Sequence, residues 1–228
     1  KIAVDEVYGK QTEFVASAYR FNGEIDQSES VKLGLLTEIL QNDKAGIFDL
    51  NISQKQKLLS VDKVLMSNKD YTTLLLVGVP KQGQSLEEAK NIILAEIENL
   101  KKGNFSDELV EAIRNNVKLG REQAKDSNAY LVERFRNIFI NGKTIDSMIT
   151  AENQFDSLTK EDIVKFANEK FKDNYVIVYK KSGDNNLKVS VDKPKITPLE
   201  LNTNNRSAFA KELMNEKVKN IDPKFLDY

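Results

Sequence analysis

Between residues 58 and 181 the hydrophobic pattern changes period twice, and this change restricts the fold more than any other feature of the sequence. Leu58 to Met66 (LLSVDKVLM) and Tyr71 to Val79 (YTTLLLVGV) are short, β-rich apolar runs joined by Ser67-Asn68-Lys69-Asp70. They read as two strands of a hairpin with a longer loop. From Ser85 the period lengthens to that of a helix. Ser85-Leu86-Glu87-Glu88 is a capping box, and Leu86, Ala89, Ile93, Ile97 and Leu100 follow at three- and four-residue steps. Lys101, Lys102 and Gly103 suit the helix end. Further helices are expected from Ser106 (with Leu109, Ile113, Val117 and Gly120 on one side), over Asn128 to Ile140, over Ile145 to Phe155, and from Thr159, carrying Ile163, Phe166, Ala167 and Phe171. Asn174 to Lys181 (NYVIVYKK) alternates again, with Tyr175, Ile177 and Tyr179 on one face.

Upstream, Thr12 to Phe21 (TEFVASAYRF) reads as a strand ending at the turn pair Asn22-Gly23. Both of its faces carry apolar side chains, which places it centrally in a sheet. Glu29 to Leu40 reads as a helix with Val31, Leu35, Leu36 and Ile39 in one stripe. The order is strand, helix, two strands, a helical block, strand. The expected class is α+β, a mostly antiparallel sheet with helices packed on one face. After a turn at Gly183, Leu187 to Val191 is a possible short partner strand. The pattern lapses after Asp192, where Pro194, Pro198 and several Asn mark an extended stretch; Ser207 to Lys219 is a possible helix. The expected domains are therefore 1–191, an α+β unit, and 192–228, an extended connector that proteases should cut first.

The chemistry is bounded by two absences: the chain contains no His and no Cys. Zinc sites draw on His nitrogen and Cys sulfur, with carboxylates as minor partners, so no catalytic zinc site is expected here. Disulfides are excluded as well. With 34 basic and 35 acidic residues spread along the chain, neither a nucleic-acid footprint nor a polybasic membrane patch is present. No run approaches the roughly 20 apolar residues of a membrane span. At 228 residues and 40% hydrophobic content the chain can bury about 70% of its unfolded surface, so it needs no metal to fold. It begins at Lys1 without an initiating Met and without a secretory signal, which reads as a fragment whose upstream signal would be invisible.

Candidate chemical groups read mostly as ordinary structure. Glu13 and Asp62 lie within expected strands, but no apolar run surrounds either to raise its pKa. Ser53-Gln54-Lys55 has the residue types of a Ser–Lys nucleophile without the S-x-x-K spacing. Gly78 to Ser85 resembles a phosphate loop faintly, but its Lys does not follow the second Gly and Pro80 removes a donor. Asp184-Asn185-Asn186 offers oxygens without calcium-loop spacing. Arg134 and Arg136 lie about 200° apart on a helix, so they should flank a buried Phe135 rather than form one face.

The segment DYTTLLLVGVPKQGQSLEEAKNIILAEIENLKKGNFSDELVEAIRNN (70–116) resembles the non-catalytic domains of the insulinase/pitrilysin family of zinc metallopeptidases. LTKEDIVKFANEKFKDNYVIVYKK (158–181) resembles the end of the same domain. KPKITPLELN, SAFAKEL and IDPKFLDY in the tail resemble the connector between the halves of large bacterial members. The resemblance implies the metallohydrolase fold of the mitochondrial-processing-peptidase/pitrilysin type, in which four related domains close around a chamber. It implies that this chain is the second domain plus the connector. The zinc motif H-x-x-E-H of the first domain has no match here. Nor does the Arg-then-Tyr substrate clamp of the last domain, whose positions fall near Asn51 and Leu58. The site expectation is therefore none of each kind: no catalytic, cofactor-binding or metal-binding residue.

The resemblance implies zinc in the parent protein only, and as partners the catalytic domain and second half of the same polypeptide together with peptide substrates. It also suggests a periplasmic or cell-envelope parent. The leading expectation is a non-catalytic structural and chamber domain of a zinc metalloendopeptidase. A stand-alone, catalytically dead scaffold subunit of the same fold is the alternative, and an enzyme working through carboxylates alone is a third. A longer reading frame with H-x-x-E-H upstream would support the first.

Overall fold

A computed structural model describes residues 2–184, 192, 194–199 and 205–216. The chain divides into two units, 1–187 and 188–228. In the first unit the order is β1 (Ala3–Gly9), β2 (Phe14–Asn22), α1 (Gln27–Leu40), a π-helical turn (Asp49–Ser53), β3 (Ser60–Ser67), β4 (Tyr71–Val79), α2 (Leu86–Lys101), α3 (Asp107–Ala124), α4 (Asn128–Ile140), α5 (Ile145–Ser157), α6 (Lys160–Lys170) and β5 (Tyr175–Ser182). The five strands form one sheet in the order β1-β5-β2-β4-β3. Three of its pairings are antiparallel and β1–β5 is parallel. β2 lies at the centre, as its two apolar faces require. The second unit contains α7 (Ala208–Asn215), inside the expected 207–219; residues 217–219 and the partner strand expected over 187–191 lie outside the described residues.

Local chemistry accounts for the element ends. Asp26, Ser85, Ser106, Ser127, Thr144, Thr159 and Ser207 each accept a backbone N–H of the first turn of the helix they precede. Ser85 and Glu88 complete the capping box expected from the sequence. Gly103 adopts φ 70° after α2, the left-handed conformation that favours glycine.

One face of the sheet carries the core. Val15, Tyr19, Phe21, Leu74, Leu76 and Ile177 point toward α1, α2 and α6, where Leu36, Ile39, Ile93, Leu100, Ile163 and Phe166 are buried against them. Tyr19 meets Phe171 edge-on at 4.7 Å between centroids, and burial pushes its phenol pKa up. Gly78 lets α2 close down on the sheet, because a Cβ there would sit 2.7 Å from Ile93 Cδ1.

Two sequence expectations need correction. No strand was expected before residue 12, yet β1 pairs along its whole length with β5. β1 buries almost nothing, so it has no hydrophobic signature. Its ladder is held instead by the Lys181–Glu6 ion pair at 2.6 Å and by Lys180 Nζ, which donates to Gly9 O at 3.0 Å and to Gln11 O. Phe135 is 52% exposed rather than buried. No residue of α4 is buried, because this helix stands off the core and is held by side chains.

Candidate functional site

The sheet ends at β3, whose outer edge has no neighbouring strand among the described residues. Asn68 N donates to Tyr71 O at 3.2 Å, which fixes the phase of the β3–β4 ladder. Residues 64 and 66 therefore bond inward to β4, while 61, 63, 65 and 67 turn their N–H and C=O groups outward. The Gln41 amide, just past α1, occupies the first part of that edge. Its Nε2 donates to Val61 O at 3.1 Å and its Oε1 accepts from Lys63 N at 2.9 Å. Past its far end, at the hairpin turn, Glu24 N donates to Asn68 O at 2.9 Å. Between the Gln41 plug and this turn lie the outward groups of Leu65 and Ser67, flanked by exposed Val64 and Met66. An unplugged edge of this kind is a template for one more strand.

The open stretch runs into a cleft of about 620 Å³ whose wall includes Ser67, Glu24, Tyr130, Arg134, Asn137 and Lys143. α4 and α5 form its far side. Arg134, on α4, is satisfied within it: Nε contacts Met148 Sδ at 2.6 Å, one terminal nitrogen donates to Tyr130 OH at 3.2 Å, and the other pairs with Glu152. Lys143 pairs with Glu24 at 2.5 Å, tying the α4–α5 turn to the β2–α1 corner. The cleft is thus mixed, with Ile138, Met148 and Ala151 beside its polar groups, and its two cations are paired. Its walls offer amides, a phenol and carboxylates to a polar main chain or side chain, with no nucleophile and base in register.

The residues weighed from the sequence are not brought together. Asp62 is exposed on β3, and Glu13 Oε1 accepts from Ser182 N at 2.7 Å. Lys55 Nζ donates to Asn51 Oδ1 at 3.2 Å, and Ser53 lies in the π-helical turn. The 78–85 segment is a turn in which Gln84 Oε1 accepts from Lys81 N at 3.0 Å before Ser85 caps α2. Asp184 faces Lys10 at 3.9 Å; Asn185 and Asn186 lie outside the described residues. Arg134 lines the cleft while Arg136 pairs with Glu133.

At the two positions of the expected clamp the structure places core chemistry. Asn51 Nδ2 donates to buried Glu96 Oε2 at 2.9 Å, and the Leu58 side chain is buried in the core. A catalytic zinc does not fit this donor set, because the chain has neither His nor Cys and the described residues contain no cluster of three or more carboxylates able to hold a metal. Sequence reasoning missed the β3 edge. The hairpin was legible, but which strand is outermost depends on long-range pairing, and nothing local marks Gln41 as an edge plug.

The model of a family described as the peptidase M16 inactive domain matches residues 4–117. No curated protein sequence matches. Among solved structures, a protease from Helicobacter pylori superposes with a TM-score of 0.71 at 22% identity, over 79% of this chain and 44% of that one. A peptidase M16 inactive domain from Pseudomonas fluorescens gives 0.66 at 15% identity, over 85% of this chain and 45% of that one. The periplasmic protease PqqL of Escherichia coli gives 0.61 at 12% identity, over 100% of this chain and 26% of that one. At these identities the likeness speaks for the fold. The chain spans less than half the length of each of the three.

Proposed function

The chain belongs to the family of peptidase M16 inactive domains, and on that premise we propose that it is the non-catalytic domain that receives and confines peptide substrate in a zinc metalloendopeptidase. In this reading residues 1–191 form one wall of the chamber and 192–228 connect it to a second half, while zinc and its ligands belong to the catalytic domain of the parent. The observation that carries the reading is the open stretch of β3 beside the cleft. An extended peptide laid along Leu65 and Ser67 adds a sixth strand to the sheet, and its continuation past Ser67 enters the space beneath α4 and α5. Main-chain pairing of this kind accepts peptides of many sequences, which suits a domain that holds substrate while another cuts it. Holding alone can be worth several kcal/mol of barrier, about 7–11 in the best-oriented cases.

The test uses the parent protein with and without residues 1–191. Removal should abolish peptide cleavage while zinc content, measured by atomic absorption, stays at its original stoichiometry. The isolated 228-residue chain should carry no stoichiometric zinc and cleave nothing. Full activity without the domain, or turnover by the chain alone, would overturn the reading.

A further inference from the structure

The helical side of the sheet holds a second hollow, of about 520 Å³, between α2, the end of α6 and the start of β5. Its volume suits a small ligand. Tyr19 lines it although the residue is only 3% exposed. The Tyr19 ring is fixed by Phe171, edge-on, and by Tyr175 at 5.0 Å between centroids, and all three rings line the hollow. A buried phenol normally finds a hydrogen-bond partner. The Tyr19 hydroxyl has none among the described residues, yet it is not sealed in: the sealed, unpaired side-chain atoms among those residues are Ser17 Oγ and Arg121 Nε. It therefore opens into the hollow with its hydrogen-bonding capacity unused.

The groups around the phenol select a cation. Burial first, then Tyr175, Glu98 and Asp173, hold the Tyr19 hydroxyl above its ordinary pKa, so it stays neutral in the field of two carboxylates. Asn168 Nδ2 is spent on Lys101 O and Val164 O, both at 2.8 Å, which leaves Oδ1 as an acceptor. Lys101 is spent on Glu98 at 2.6 Å. An anion would find only exposed Lys172 as a second cation, set against Glu98 and Asp173. A metal ion is disfavoured, because no three carboxylates gather among the described residues to hold one. A cation on an organic stem finds acceptors in both phenols, Asp173 and Asn168, and aromatic rings that attract positive charge within about 6 Å. Leu94 and Ile97 of α2 offer an apolar wall to the stem. We propose that the hollow between α2, α6 and β5 binds a guanidinium or primary ammonium group carried on an aliphatic chain, with the Tyr19 hydroxyl and the Asp173 carboxylate accepting its N–H groups. The hollow shares no lining residue with the cleft beside β3, so the proposal stands whether or not the domain holds peptide.

The test is an NMR titration of the 228-residue chain with two probes: agmatine, a free guanidinium compound, and Nα-acetylarginine methylamide, the same group in peptide form. The ring signals of Tyr19 and Tyr175 and the amide of Asp173 should shift and saturate with a Kd of about 1 mM. Tyr19→Phe should weaken binding about tenfold, the loss of one hydrogen bond to a charged group. Its thermal midpoint should not fall, since the hydroxyl has no protein partner to lose. Asp173→Asn, at an exposed position, should weaken binding about threefold. Saturation by agmatine alone assigns the hollow to free amines, and saturation by the peptide form alone assigns it to a basic side chain; either upholds the proposal. Three results would overturn it: no saturable shift at these residues with either probe, undiminished binding by a folded Tyr19→Phe chain, or shifts produced there by acetate while both cations are inert.

Discussion

Glu96 is a charge in a place where charges are costly. It is 3% exposed, and it accepts from Asn51 Nδ2 at 2.9 Å and Asn99 Nδ2 at 2.7 Å, with Lys57 Nζ at 3.4 Å. It therefore fastens the π-helical turn to α2. Replacing Glu96 with Ala strands two half-buried amides and should lower stability by about 1–3 kcal/mol in urea melts; Gln, which keeps one acceptor, should lose roughly half of that. Gly78 acts by having no side chain. A Cβ there would lie 2.7 Å from Ile93 Cδ1 and 3.1 Å from Leu58 Cδ1, both far ends of side chains that can turn aside. Gly78→Ala should therefore fold, with a loss of about 1–2 kcal/mol read from the same melts. A loss below experimental error would show that the α2–β4 contact is looser than described.

The helices were legible because their signals are local. The Ser85–Glu88 box, the Gly103 stop and the stripe from Ala89 to Leu100 need no knowledge of the rest of the chain. β1 was not legible, since it is held by a ladder and by Lys180 and Lys181 rather than by burial. Phe135 was misread because helical periodicity shows which face is apolar, not whether anything covers it. The caps also make the fold sensitive to acid. Backbone N–H groups donating to Asp26, Glu88 and Asp162 hold all three carboxyls below their ordinary range, with Asn22, Ser85 and Thr159 side chains adding to the effect. A carboxyl with a depressed folded pKa stabilises the fold above its unfolded value and stops doing so as pH falls through the folded value. Thermal midpoints should therefore be flat near neutrality and fall below about pH 4.5, the unfolded value for Glu88. Asp26→Asn should lower the neutral midpoint slightly and make the acid decline shallower; an unchanged acid slope would show that this cap contributes nothing.

At the scale of the molecule, one sheet presents three different surfaces. Its inner face is the core, its outer face carries Ala16, Ala18, Leu75 and Val77, and its free β3 edge adjoins the cleft beside α4. The sequence carried the α+β class, because it follows from residue kinds and their spacing, and it shows directly that the chain has no His and no Cys. It did not carry the β3 edge, because edge position and the Gln41 plug arise from pairings between residues about 20 apart. The claim that the domain holds peptide at that edge turns on one backbone donor. Leu65 N–H points outward, so Leu65→Pro removes it without breaking a bond to β4. In the parent protein this variant should raise KM for long peptides about tenfold, the loss of roughly 1.4 kcal/mol, with kcat for short peptides and the thermal midpoint nearly unchanged. An unaltered KM for long peptides in a folded Leu65→Pro protein would contradict the account.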